Sequence, residues 1–282
     1  MVIFKEIGPL KAFLADKTSQ GLSIGLVPTM GALHHGHLEL VMASKKANSI
    51  TVCSIFVNPT QFNNPSDLEK YPRTAQRDIT NLDSVGCDVL FHPEKEVMYQ
   101  KPSTIKFDFG KLDKVFEGEF RPGHFSGVAL VVSKLFNIVN PDKAYFGQKD
   151  FQQFKIISRL VEELQFNIEL ICFPTLREPD GLAMSSRNLR LNVEERKSAL
   201  FFYRALQFAK TELLKGTDLK SVQTKVREMC SLEPRVRLEY FELADTENLN
   251  LLESVKQPTP SILLVAGFVG EIRLIDNMFV EN

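Results

Sequence analysis

Pro28-Thr29-Met30-Gly31-Ala32-Leu33-His34-His35-Gly36-His37 stands between an apolar run, Ser23-Ile24-Gly25-Leu26-Val27, and a helical stripe carried by Leu38, Val41 and Met42. A buried strand that feeds a helix through a glycine-bearing turn presents free backbone N–H groups and the positive end of the peptide dipoles, a combination suited to phosphate. Gly31 and Gly36 allow close backbone approach to a ligand, and His34 and His37 add ring donors beside it. His35 alternates out of that pair toward solvent. A metal site made of the three histidines is the weaker reading, because no cysteine or carboxylate stands at ligand spacing nearby.

Outward from this junction the same pattern recurs. Strand-like runs at 24–27, 50–57, 88–91, 144–146 and 168–173 alternate with helical patterns at 37–48, 75–85, 125–139 and 150–164. Helical connections between buried strands predict an α/β fold, a Rossmann-like parallel sheet with helices on both faces and ligands over the carboxyl ends of the strands. In the helix at 75–85, Thr74 is the expected N-cap and Gly86 the terminator. The polar, turn-rich stretch 62–70 reads as a flap able to close over a ligand. After Pro174 the pattern becomes two helices within 193–214 and 217–230, then strands at 235–241 and 262–266, a small α+β domain. The expected division is 1–175, binding nucleotide and its co-substrate, and 176–282.

With 282 residues, 44% of them hydrophobic and 24% charged, the chain can bury a large core. Thirty-four basic against 35 acidic residues give a net charge of -1, which argues against nucleic acid or an acidic membrane surface as partner. No secretory pattern and no membrane-spanning apolar run is seen, so the expected location is the cytoplasm. Cys53, Cys87, Cys172 and Cys230 form no Cys-x-x-Cys pair and read as free, buried thiols.

Two further clusters carry chemistry. Phe146-Gly147-Gln148-Lys149-Asp150 is a second strand-to-helix turn, where Gly147 admits a ligand and Lys149 supplies a cation. Asp150 either caps the following helix or accepts from ribose hydroxyls, and Gln153, one turn in, offers an amide. Met184-Ser185-Ser186-Arg187-Asn188 sets two hydroxyls and a guanidinium in one loop, either a phosphate clamp or a polar loop with capping serines.

The His-x-Gly-His element resembles the nucleotide-binding signature of class I aminoacyl-tRNA synthetases and nucleotidylyltransferase-like enzymes. Joined with Phe56-Val57-Asn58-Pro59-Thr60-Gln61-Phe62, Tyr71-Pro72-Arg73, Arg121-Pro122-Gly123-His124-Phe125, the Gly147 and Ser185 clusters and Arg273-Leu274-Ile275-Asp276-Asn277, it is similar nearly end to end to the pantoate–β-alanine ligase (pantothenate synthetase) family. Two departures are small: His35 where many relatives carry Glu, and Glu271-Ile272 before Arg273 where small polar residues are usual.

The resemblance implies ATP-dependent condensation of (R)-pantoate with β-alanine to pantothenate, AMP and pyrophosphate through a pantoyl adenylate, with Mg²⁺ required and a homodimer usual. It implies ATP contacts from Met30, Gly31, Ala32, Leu33, His34, His35, Gly36, His37, Gly147, Gln148, Lys149, Asp150, Leu176, Met184, Ser185, Ser186 and Arg187. Gln61 and Gln153 would hold pantoate, with Asn58, Val131 and His124 expected close to it. His37, matching the family's proton donor, His34 and Lys149 are the expected catalytic residues, and Asp78 the expected water-mediated magnesium contact. A nucleotidylyltransferase, a tRNA-charging enzyme and a non-catalytic nucleotide sensor remain the competing readings.

Overall fold

A computed structural model describes residues 1–255 and 259–280. By its contacts the chain forms two compact units, Met1–Gly147 with Gln152–Phe173, and Gln148–Phe151 with Pro174–Asn282.

In the first unit the elements run β1 (Val2–Phe4), α1 (Ile7–Ser19), β2 (Ile24–Thr29), α2 (His35–Ala47), β3 (Ile50–Ile55), α3 (Pro65–Glu69), α4 (Ala75–Ser84), β4 (Val89–Phe91), α5 (Lys95–Met98), α6 (Glu117–Phe120), α7 (His124–Val139), β5 (Lys143–Gly147), α8 (Phe151–Glu163) and β6 (Glu169–Phe173). The six strands make one parallel sheet in the order β1-β4-β3-β2-β5-β6. Successive side chains of a strand point to opposite faces. Accordingly Ile24, Leu26, Val52, Val89, Phe91, Ala144 and Phe146 join one apolar cluster, with Leu10, Leu14 and the buried face of α7. Val27, Cys53, Ile55, Leu90 and Tyr145 join the other, with Leu40, Val41 and Leu82. Both faces are therefore covered by helices, as the near-continuous apolar strands require.

The strand order reverses between β2 and β5, since β3 and β4 lie on one side of β2 and β5 and β6 on the other. In an open α/β sheet such a reversal leaves a crevice at the carboxyl ends of the two strands. Here β2 and β5 pair only at Gly25↔Lys143 and Leu26↔Ala144, whereas β2 stays in register with β3 through Thr29↔Ile55. Pro28 has no N–H for a ladder and sits where β2 is paired with β3 alone. On one face of β2, α2 packs closely because Gly25 has no side chain: a methyl group there would overlap Ser44 Oγ and the Asn48 amide. Those two belong to a buried polar knot in which Ser44 meets Thr51 at 2.8 Å and Asn48 donates to the Tyr145 hydroxyl at 2.8 Å.

The second unit comprises α9 (Val193–Ser198), α10 (Leu200–Leu214), α11 (Leu219–Ser231) and the antiparallel strands β7 (Val236–Asp245), β8 (Ser261–Val269) and β9 (Ile272–Phe279) in the order β7-β8-β9. Phe202, Leu206, Ala209 and Leu213 of α10 and Val222 and Val226 of α11 pack on Phe241, Leu243, Leu263, Val265 and Leu274.

Several boundaries differ from the sequence reading for identifiable reasons. The helical stretch 193–214 is two helices: α9 opens in an Asn192–Glu195 capping box and α10 restarts at Ala199. Thr74 occupies the N-cap position of α4 without capping it, because its hydroxyl donates to Asp78 instead. The 62–70 stretch contains α3, capped by Asn64. β1, α1 and β9 were not read from the sequence; β9 carries Arg273, Asp276 and Asn277, which hide its alternation. All four cysteines are free, Cys53 and Cys87 buried and Cys172 and Cys230 partly so.

Candidate active site

The turn after β2 is shaped by two consecutive left-handed residues, Gly31 at φ 82° and Ala32 at φ 49°. A non-glycine residue in that region needs outside support. Asp78, projecting from α4 and 1% exposed, provides it: its carboxylate accepts from the backbone N–H of Ala32 at 2.9 Å, of Leu33 at 2.8 Å, and from Thr74 Oγ1 at 3.1 Å. Both oxygens of Asp78, the residue expected to contact magnesium through water, are engaged in holding the turn. Downstream, α2 begins at His35; the His37 and Leu38 amides bond back to the His34 carbonyl at 2.9 and 3.3 Å, which leaves the His35 and Gly36 amides without a hydrogen bond among the described residues. The rings of His34 and His37 lie 3.9 Å apart, and the His34 N–H donates to His37 Nδ1 at 3.4 Å. That contact requires an unprotonated Nδ1 and assigns the ring proton of neutral His37 to Nε2. His35 points out and meets Glu39 at 3.1 Å.

Beside this turn lies the 3₁₀ turn Pro59–Gln61. Gln61, 7% exposed, donates from Nε2 to Met30 Sδ at 2.8 Å, which joins the two turns directly. Asn58 and His124, expected close to pantoate, have their polar groups hydrogen-bonded within the protein. Asn58 is 1% exposed; its amide donates to Gln61 Oε1 and to the Gly127 carbonyl, and its oxygen accepts from Thr60 and from Tyr99 at 2.8 Å. His124 lies between the Arg121 guanidinium, 3.1 Å from Nε2, and the Gln61 carbonyl, 2.8 Å from Nδ1. Arginine only donates, so Nε2 accepts and the proton sits on Nδ1, bonded to Gln61. Both residues thus fix Gln61. Val131 is packed in the apolar core with Phe56, Val128 and Val132. Gln153, in the first turn of α8, is half-buried and its amide has no hydrogen bond among the described residues.

The remaining expected residues fall in the second unit. Gly147 ends β5, but Gln148–Phe151 belong with the C-terminal unit. The cause is Asn277 of β9, 1% exposed: its Nδ2 donates to the carbonyls of Gln148 and Lys149, each at 2.9 Å, and its Oδ1 accepts from Gln148 Nε2 at 3.1 Å. Phe151 adds an edge-to-face contact with Phe279. Lys149 is half-buried and its ammonium makes no ion pair or hydrogen bond among the described residues, while Asp150 is exposed and caps nothing there. An unneutralised cation of this kind favours an anionic ligand.

Leu176 and Met184, 8 positions apart, face each other in a hairpin closed by Met184 N–H to Leu176 C=O at 3.0 Å and Glu178 N–H to Leu182 C=O at 2.8 Å. Arg177 anchors this hairpin by a bidentate pair with Asp276, at 2.6 and 3.0 Å. Ser185 caps the 3₁₀ turn Ser186–Arg190, its Oγ accepting from the Arg187 N–H at 3.3 Å, so the capping role is present and the hydroxyl proton stays available. Asp180 has its carboxyl raised by burial, but its bonds to Arg196 and the Leu182 N–H outweigh that and hold it below the usual range. Arg177, Asp276 and Asn277 are contributors to which no role was attached from sequence. The signal was an arginine after β6 and the buried Asp276–Asn277 pair of β9, legible only once their partners are known.

The family model for pantoate-beta-alanine ligase matches residues 2–279. Pantothenate synthetase of Aquifex aeolicus is 46% identical over 283 residues, covering 100% of this chain and 99% of the relative. The crystal structure of pantothenate synthetase from Thermus thermophilus superposes with a TM-score of 0.93 at 39% identity, covering 100% of both chains. That of pantoate-beta-alanine ligase from Francisella tularensis, complexed with beta-gamma ATP and beta-alanine, gives 0.84 at 34% identity, covering 100% of this chain and 98% of the other. With the sheet, the reversal point and the turns in place along the whole chain, it belongs to the pantoate–β-alanine ligase family.

Proposed function

We propose that this chain joins (R)-pantoate to β-alanine in two ATP-driven steps, and that the residues described above divide the work between them. The full-length match to a ligase family carries the reading. In the first step a pantoate carboxylate oxygen attacks the α-phosphorus of ATP, the bond from that phosphorus to the bridging oxygen breaks, and pyrophosphate leaves. In the second the β-alanine amine attacks the adenylate carbonyl carbon, the carbonyl–oxygen bond to AMP breaks, and the amine sheds a proton.

An anion attacking an anionic triphosphate needs charge cancellation and alignment more than a stronger nucleophile. Lys149, the His35 and Gly36 amides at the start of α2, His34 and His37 would quench charge on the α-phosphate, with His37 Nε2–H as the donor assigned by its Nδ1 contact. Ser185, Ser186 and Arg187 would hold the departing pyrophosphate. Gln61, fixed by Asn58 and His124, and Gln153, whose amide is open, would hold pantoate through neutral amides. Magnesium belongs to this reading as the counter-ion that arrives on ATP: Mg²⁺ keeps several waters and is held largely by substrate phosphates. Among the described residues no three His, Cys, Asp or Glu side chains gather into a resident site. No described helix is long and apolar enough to cross a membrane. The family resemblance also carries a homodimer acting in the cytoplasm, which sedimentation of the purified chain and of a cell extract would check.

Incubating the protein with ATP, Mg²⁺ and pantoate should yield pyrophosphate and pantoyl adenylate by mass, and adding β-alanine should yield pantothenate and AMP. ATP binding without pyrophosphate release would identify a sensor instead, and a nucleotide conjugate as the final product would identify a nucleotidylyltransferase.

A further inference from the structure

Lys149 lies two residues past the end of β5, yet its carbonyl is bonded to the Asn277 side chain of β9. Asn277 donates to the Gln148 and Lys149 carbonyls and accepts from the Gln148 amide, with 1% of its surface exposed. An amide that bonds two successive carbonyls fixes the peptide plane between them, and with it the direction in which the Cα–Cβ bond of Lys149 leaves the backbone. Its neighbour Asp276 holds Arg177, and Arg177 Nη2 also donates to the Asn277 carbonyl at 3.3 Å. One strand end therefore sets the Lys149 turn and the Leu176–Met184 hairpin in a common register.

We infer that Asn277 is a positioning residue for Lys149 in adenylate formation, acting through the Gln148–Lys149 backbone and touching no reactant. The inference rests on the reading of Lys149 given under the proposed function. Its neutrality matters: a carboxylate at the same place would lose both donations and repel both carbonyls.

The test is a double-mutant cycle between N277D and K149A, read as the single-turnover rate of pantoate-dependent pyrophosphate release, with the rate of β-alanine attack on supplied pantoyl adenylate as a second readout. N277D should slow pyrophosphate release about 10- to 100-fold in the native background, the scale of a misplaced catalytic group. In the K149A background it should change the rate by no more than about 2-fold, because the group it positions is already gone. The second half-reaction should fall less than the first in the N277D variant. If N277D does not fold by circular dichroism, N277S, which adds no charge and retains a hydroxyl able to donate to one carbonyl, is carried through the same cycle. Equal losses in the two backgrounds would show a general structural role and overturn the inference. A K149A variant with the native rate would overturn the role of Lys149 and this inference with it, whereas a native protein releasing no pyrophosphate would overturn the functional reading itself.

Discussion

After β2 the chain turns through Gly31 and Ala32 under the grip of Asp78, whose bonded amides lie 45 and 46 positions before it; after β5 it turns through Gly147 to Lys149 under the grip of Asn277, 128 and 129 positions on. The first grip is an anion on two N–H groups and the second a neutral amide on two carbonyls. Each suits what it supports. In the proposed reading the histidine turn gives its donors to the nucleotide, and the carboxylate behind it is satisfied by hydrogen bonds. The lysine turn, which supplies the cation in the proposed reading, is held through its carbonyls by an amide, a donor that a carboxylate could not replace.

The largest test of that contrast removes the cation itself. K149A should depress adenylate formation by roughly two to three orders of magnitude, the scale of losing a preorganised charge contact. Pyrophosphate release measured by quench flow checks it, and a native burst would end the comparison. Next comes the anionic grip: D78N keeps the shape but turns one acceptor into a donor facing an N–H group. A buried N–H left unpaired costs about 1–3 kcal/mol, so the urea midpoint should fall accordingly, and adenylate formation with it. An unchanged midpoint would mean that Ala32 and Leu33 hold their conformation unaided.

The smallest effect concerns the sheet behind both turns. Burial pushes the Cys87 and Cys172 thiols up to about 11 and also raises Cys53. A folded-state value above the ordinary one favours the protonated form. The stability this contributes is complete below about pH 9, the range of a free thiol, and is lost as pH climbs through 11. Since the thiolate is the nucleophile, alkylation of Cys53 and Cys87 at about pH 8 should be far slower in the native protein than in urea. Equal rates would show that the strands open readily.

The parallel sheet was legible because Ile24, Leu26, Val52, Val89 and Phe91 on one face and Val27, Cys53, Ile55 and Leu90 on the other make near-continuous apolar runs, and the helices because Leu38, Val41 and Met42 in α2 and Ile79, Leu82 and Val85 along α4 follow helical spacing. The His34–His37 turn and the Lys149 turn were legible for the same reason: each is a local pattern joining one strand to one helix. Asp78, Asn58, His124 and Asn277 were not. A buried carboxylate, amide or imidazole has the same spelling whether its partner is a substrate or a backbone group far along the chain, and only the tertiary contact decides. Asp78 was read toward metal and Asn58 toward pantoate, while the hydrogen bonds they make run to Ala32, Leu33 and Thr74, and to Gln61, Gly127 and Tyr99.

Gly25 gives that dependence on distant contacts a mechanical form. Helix α2, 13 residues and about 20 Å long, rests one end on the bare backbone of Gly25 and holds His35, Gly36 and His37 at the other. A helix is stiff over that span, so lifting its seated end tips the far one like a beam on a fulcrum. One methyl group added at Gly25 would therefore misalign the histidines without touching them, a hidden sensitivity that inspection of the reacting groups alone would never reveal.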